Sequence, residues 1–165
     1  MKRFLGIFFV LMFLLCGCAS KESLKPKTES LSFGLNVSYD GEKYSFDVKT
    51  FKNGELECAV NSPETLGGMR IVVRGDDAII DYKGIKIKKK LSDIPFGNAV
   101  SLFSAALKDA SEKPALNVDG KNIVSGNVSG IDYVMEITKA GLPVTLDFRQ
   151  EKIFFEFVKL TLVND

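Results

Sequence analysis

The sequence has no histidine and no tryptophan, and only three cysteines and five prolines among its 165 residues. Without histidine nothing in the chain can activate a serine or cysteine nucleophile in the usual way. No cysteine pair at metal-ligand spacing, no G-x-S-x-G and no phosphate-binding glycine loop occurs either. The one adjacent carboxylate pair, Asp76-Asp77, follows Gly75 between two apolar runs and reads as a solvated turn. A non-enzymatic chain with no cofactor and no metal is therefore expected. Charge of one sign is also missing, since the net charge is +1. A balanced chain has no global attraction to nucleic acid.

One long apolar run is present, at the start. Lys2 and Arg3 precede Phe4 to Leu15, which only Gly6 interrupts, and Gly17-Cys18-Ala19-Ser20 follows. This is the three-part pattern of a secretory signal. At ~1.5 Å per residue the run is roughly 18 Å long as a helix, short of the ~30 Å hydrocarbon core. A signal core is expected rather than a spanning helix.

The residues closing that run, Leu15-Cys16-Gly17-Cys18, resemble the bacterial lipobox, in which the last cysteine receives a diacylglyceryl group and becomes the new N-terminus. The resemblance implies a signal peptide over 1–17, lipidation at Cys18, and a protein held on the extracytoplasmic face of a cell membrane. Two or three acyl chains suffice for lasting attachment, where one is marginal. A lipidated tether is expected over 18–30 and a folded domain over 31–165.

Without residues 1–17, 148 residues remain and the net charge becomes −1, because Lys2 and Arg3 are lost. With Cys16 removed and Cys18 acylated, Cys58 is alone, so no intrachain disulfide can form. Cys58 lies in an alternating apolar run, where a free cysteine serves as a small hydrophobe. The tether, ASKESLKPKTES, is polar and suits a flexible spacer reaching roughly 40 Å. Lys21, Lys25 and Lys27 could meet anionic headgroups, partly offset by Glu22 and Glu29.

From Leu31 the dominant period is two, the signature of antiparallel strands. Phe33, Leu35, Val37 and Tyr39 share a face; Asp40-Gly41 turns the chain; Tyr44, Phe46 and Val48 continue; Asn53-Gly54 turns it again; Leu56, Cys58 and Val60 follow. Ser62 is expected to cap a short helical turn opened by Pro63. Strands are expected over 69–73, 78–82 and 85–89, and then over 122–128, 131–137, 142–148 and 153–162. The last is apolar on both faces at 153–157, which implies burial on both sides or a bulge. Between these groups, Phe96, Ala99, Val100, Phe103, Ala106, Leu107 and Ala110 recur at helical spacing. One helix is expected over 95–112, capped by Ser92 or Asp93, with Pro95 in its first turn. The fold class is α+β: about ten strands in a single strongly curved antiparallel sheet, with one main helix across its open side.

Two features offer binding chemistry. Lys86, Lys88 and Lys90 project from one face of a strand, with Ile85 and Ile87 on the other. They are either lysines protecting a sheet edge or contacts for a lipid headgroup or an acidic partner. The other feature is apolar surface. A curved sheet under one helix can leave a cavity lined by Phe33, Leu35, Val37, Phe46, Val48, Leu56, Val60, Ile71, Val73, Phe103, Leu107, Leu146 and Phe148. The same side chains could equally fill a dry core.

The order of elements, with Ser62-Pro63-Glu64-Thr65-Leu66-Gly67-Gly68-Met69 leading into Asp81-Tyr82-Lys83-Gly84, then a helix, then Gly141-Leu142-Pro143-Val144, resembles the lipoprotein-carrier superfamily, the LolA/LolB-like proteins and their lipid-anchored Gram-positive relatives. The resemblance implies an incomplete β-barrel enclosing an apolar cavity for acyl chains. It also implies a cavity arginine, for which only Arg70 and Arg74 qualify by strand position, and a long N-terminal helix, for which residues 19–30 have no apolar stripe. The expected function is a non-catalytic, membrane-anchored envelope lipoprotein that binds a lipid or other apolar ligand. The alternative is a lipid-anchored scaffold docking another envelope or spore-envelope protein.

Overall fold

The computed structural model describes residues 23–94 and 96–162. Cys18, the signal segment and Pro95 lie outside them. Eleven strands form one antiparallel sheet in the order β6-β5-β4-β3-β2-β1-β11-β10-β9-β8-β7. Every step between neighbours is sequential except β1 to β11, which joins the two halves of the chain. The first half supplies β1 (Leu31–Tyr39), β2 (Glu42–Thr50), β3 (Leu56–Ser62), β4 (Arg70–Arg74), β5 (Asp77–Tyr82) and β6 (Ile85–Lys90). The second supplies β7 (Leu116–Val118), β8 (Lys121–Val128), β9 (Ile131–Ile137), β10 (Pro143–Phe148) and β11 (Ile153–Leu162). Helix α1 (Gly97–Glu112) connects the halves and lies against the concave face. Among the described residues no helix is long and apolar enough to cross a membrane.

Alternation decides which side chains enter the core. Leu31, Phe33, Leu35 and Val37 of β1 are buried, as are Leu56, Cys58 and Val60 of β3 and Tyr133, Met135 and Ile137 of β9. Helix α1 contributes Ala99, Leu102, Phe103, Ala106, Leu107 and Ala110. Phe103 sits at the centre, its ring 4.9 Å from that of Phe155 and 6.4 Å from that of Phe33. The alanines matter as much, because small side chains let the helix axis approach the sheet. Gly97 lets the start of the helix fold tightly back on the preceding 3-10 turn, where a Cβ would collide with the carbonyl of Leu91.

Several local expectations are corrected. There are eleven strands, because Leu116-Asn117-Val118 pairs with β8 as a three-residue edge strand. Ser62 ends β3 and caps nothing; the 3-10 turn Glu64–Leu66 has no side-chain cap, and Pro63 stands before it. Helix α1 starts at Gly97 behind Phe96, while Ser92 and Asp93 belong to a separate 3-10 turn. β11 is not buried on both sides, since Phe154 is 40% exposed. The bulge is there, but further along: register shifts between Ser32 and Gly34 opposite Val158 and Thr161, with Lys159 at φ 51°. Past it, Leu162 rather than an odd-numbered residue pairs with the inward-facing Leu31.

The segment expected as a free spacer is laid against the body from Leu24 onward. The Ala115 amide donates to the Leu24 carbonyl and the Lys27 amide to the Gly141 carbonyl, each at 2.7 Å. Pro26 and Thr28 are buried.

Candidate functional site

An apolar cleft opens between the N-terminal half of α1 and the concave face of the sheet. Leu35, Val37 and Tyr39 of β1, Tyr44 and Phe46 of β2, Leu56 and Cys58 of β3, Ile71 of β4 and Phe155 of β11 form its floor. Phe96, Ala99, Val100 and Phe103 form its roof. No charged side chain lines it. Tyr39, Tyr44, Phe46, Phe96 and Val100 are only half-buried, and they mark its mouth at the end of the β1–β2 hairpin. The void between the walls is about 40 Å³. A water occupies ~10–15 Å³ on this measure and drug-sized ligand sites span ~300–1,000 Å³. The walls are therefore nearly in contact, and any ligand larger than a few waters must part them.

Of the residues expected to line a cavity, Leu35, Val37, Phe46, Leu56, Ile71 and Phe103 converge on this cleft. Phe33, Val48, Val60, Val73, Leu107, Leu146 and Phe148 are buried elsewhere in the packed core. Tyr39, Tyr44, Cys58, Phe96, Ala99, Val100 and Phe155 are lining residues that the sequence reading did not select. Alternation had placed Tyr39, Tyr44 and Cys58 on the correct face. Their distance along the strand from the helix decides whether they meet the cleft, and that is not written in a period of two.

Cys58 is the one nucleophile in the lining. Burial, reinforced by the neighbouring Glu57 carboxylate, pushes its thiol up to about 12. At neutral pH it is a protonated apolar group, not an activated thiolate.

The lysine strand is the edge strand β6, and the ammonium groups of Lys86, Lys88 and Lys90 are committed within the chain. Lys88 and Lys90 reach opposite oxygens of Asp77 at 2.9 and 2.7 Å, and Lys86 lies 3.6 Å from Asp81. Hydrogen bonds from Lys90 and Lys88 hold the Asp77 carboxyl down at about 2. Asp77 is thus the first residue of β5 and an ion-pair centre, while Asp76 remains in the turn. On the opposite face Ile85 and Ile87 are 64% and 45% exposed.

Neither arginine enters the cleft. Arg70 and Arg74 are exposed, on the face of β4 opposite to buried Ile71 and Val73, and Arg74 pairs with Glu55 at 2.8 Å. Among the described residues no group of three acidic or cysteine side chains could hold a metal ion.

No family model and no curated protein matches the sequence. Solved structures do. An uncharacterized conserved protein from Thermus thermophilus superposes with a TM-score of 0.51 at 11% identity, over 84% of this chain and 81% of that one. A LolA superfamily protein from Nitrosomonas europaea gives 0.43 at 10% identity, over 86% and 89%. The lipoprotein LppX of Mycobacterium tuberculosis gives 0.38 at 14%, over 88% and 91%. The last two superpose too loosely to say more about this chain, whereas the Thermus protein shares its fold: an open, curved antiparallel sheet with a helix on the concave side.

Proposed function

We propose that this chain is an extracytoplasmic lipoprotein, acylated at Cys18, whose half-barrel binds an acyl chain or a similar apolar ligand in the cleft under α1 without catalysing a reaction. The observation that carries this reading is the mouth of the cleft. Tyr44, Phe46, Phe96 and Val100 leave apolar surface in water beside a lining free of charge. A core needing no ligand would gain ~25 cal/mol per Å² by closing over them. A ligand sliding between α1 and the sheet recovers that energy. The roof can yield, because the N-terminal half of α1 has no hydrogen-bonded side-chain cap, and the side-chain hydrogen bond that ties the helix to the sheet, from Tyr133 to Asp109, lies at the other end.

The test is native mass spectrometry of the unacylated body, residues 19–165, after incubation with a C16 fatty acid. One equivalent bound, and displaced by a second acyl ligand, is the expected result; no retained mass at saturating ligand overturns the reading.

A second reading has its own observation. Ile85 and Ile87 stand exposed on β6, a strand with one free edge, and such an edge can accept a strand from a partner. In that case the chain is a lipid-anchored scaffold docking another envelope protein. Crosslinking from Ile87 in intact cells would then give one stoichiometric partner regardless of cleft occupancy.

A further inference from the structure

Four of the seven large exposed apolar side chains among the described residues share one end of the sheet. Phe51, Ile85, Ile87, Leu116, Val118, Phe154 and Leu162 are the large ones left in solvent among the described residues. Strand register sorts them by end. The β2–β3 turn, the start of β1, the finish of β11, the β9–β10 turn and the β7–β8 hairpin all lie at one end of the sheet. That end carries Phe51, Leu116, Val118 and Leu162. Leu116 and Val118 are 68% and 50% exposed, on an edge strand of three residues.

The anchored chain leaves the body at this same end. Leu24 is held by Ala115, the residue before β7, and Lys27 by Gly141 in the β9–β10 turn. From Ser23 back to Cys18 is five residues, a contour of at most ~18 Å. An acylated Cys18 therefore keeps the rim within reach of the headgroup region. Lys25, Lys27 and Lys139 are exposed on this rim, and none is ion-paired with another described residue. Glu29 and Asp119 act against them, and Lys121 is neutralised by Glu136 at 2.7 Å. Apolar residues interleaved with exposed cations at the root of a lipid anchor are what an anionic bilayer surface accommodates.

We propose that the rim bearing Phe51, Leu116, Val118 and Leu162 rests on the membrane, with Lys25, Lys27 and Lys139 against anionic headgroups. The proposal rests on lipidation of Cys18. It has a consequence for the cleft. Tyr39 and Tyr44 flank the far end of β1, a strand of nine residues, which at ~3.3 Å per residue puts the mouth some 25–30 Å away from the rim. The mouth then faces outward, away from the bilayer, where it exchanges ligand with the envelope space rather than with the lipid beneath.

The absence of tryptophan makes a direct experiment available. Phe51→Trp, Leu116→Trp and Val118→Trp each introduce one reporter, with Phe154→Trp at the opposite end as reference. Each full-length acylated variant is reconstituted in vesicles of phosphatidylcholine and phosphatidylglycerol, with and without brominated acyl chains. Rim reporters are expected to shift to shorter wavelength and lose emission to the brominated lipid, while the reference does neither. If the protein carries the acyl mass and floats with the vesicles yet the rim reporters match the reference, the orientation is overturned and the lipidation reading stands. A chain that carries no acyl mass and does not float overturns both.

Discussion

The Tyr133 hydroxyl donates to the Asp109 carboxylate at 2.7 Å, and the same oxygen receives the Lys113 ammonium at 2.6 Å. Asp109 lies in the last turn of α1, Lys113 is the residue that follows the helix, and Tyr133 is a buried residue of β9. This contact fixes the C-terminal half of the helix to the sheet while leaving the half above the cleft held by apolar packing. Gly126 of β8 makes it possible, because a Cβ there would strike Asp109, Tyr133 and Lys113 together.

Tyr133→Phe removes the donor from a partly buried carboxylate and is expected to cost about 1.5–3 kcal/mol, the range for hydrogen bonds to charged groups. Urea denaturation measures it. The Lys113 hydrogen bond, followed by that of Tyr133, lowers the Asp109 pKa from its ordinary 3.8. A carboxyl depressed in the folded state contributes its stability above the unfolded value and loses it as pH falls below that value. The difference between wild type and Tyr133→Phe should therefore shrink below pH ~4. A constant difference down to pH 2.5 would contradict this account.

Gly141 sits at φ 81°, and a Cβ on it would lie 2.6 Å from the Lys25 carbonyl. Gly141→Ala combines a left-handed conformation, costing about 1–2 kcal/mol in a residue with a Cβ, with a backbone collision. Release of Leu24–Thr28 from the body is the expected outcome. It would appear as faster amide exchange at Lys27, with the sheet unchanged. Equal protection in both proteins would mean that the segment is held by something other than the Gly141 carbonyl.

Asp77, shared by Lys88 and Lys90, titrates at about 2 in the folded chain against an ordinary 3.8. Its contribution is present above the ordinary value and lost as pH falls from there towards 2. Amide protection in β6, taken relative to the rest of the sheet, should fall over that interval, and Asp77→Asn should show the lowered protection already at pH 7. The rest of the sheet is the internal control.

Alternation made the sheet readable because one face of each long strand is buried: Phe33-Gly34-Leu35-Asn36-Val37 states its own orientation. The helix was readable for the same reason, although Leu102 joins its buried face unannounced by the first pattern. Three things were not readable. Leu116-Asn117-Val118 is too short for a period and stands behind Pro114. The docking of Leu24 and Lys27 uses main-chain groups of Ala115 and Gly141, which leave no trace in side-chain composition. The cleft needed the position of α1 along the strands. Val48 and Phe46 look alike in sequence, yet only Phe46 lies beneath the roof.

Val100 offers a way to block the cleft without dismantling the core, since it lines the roof but is only half-buried. Val100→Glu keeps its charge in water when the cleft is empty and forces desolvation when an acyl chain enters. Affinity for a C16 fatty acid should fall by about tenfold or more, corresponding to ~1.4 kcal/mol. The midpoint of urea denaturation should stay close to wild type. Unchanged affinity in a folded variant would exclude this cleft as the binding site.

Cys58 reports on the same event from inside. Its thiol lies on the cleft floor, buried and raised to about 12, with no activating base among the residues around it. In the closed state it should resist iodoacetamide at pH 8, because alkylation needs both the thiolate and a path to it. Reaction then proceeds only through molecules in which α1 has lifted from β3, so the rate measures the population of the open form. An acyl ligand that occupies the cleft covers the sulfur and should slow alkylation in proportion to occupancy. The Val100→Glu chain, which admits the ligand poorly, should lose that protection. If opening instead exposed Cys58 by unfolding the whole half-barrel, added Tyr133→Phe would speed alkylation by the same factor as it shifts global stability. Helix lifting at the cleft end alone leaves the rate nearly independent of Tyr133, because the contact with Asp109 lies on the part of α1 that stays down.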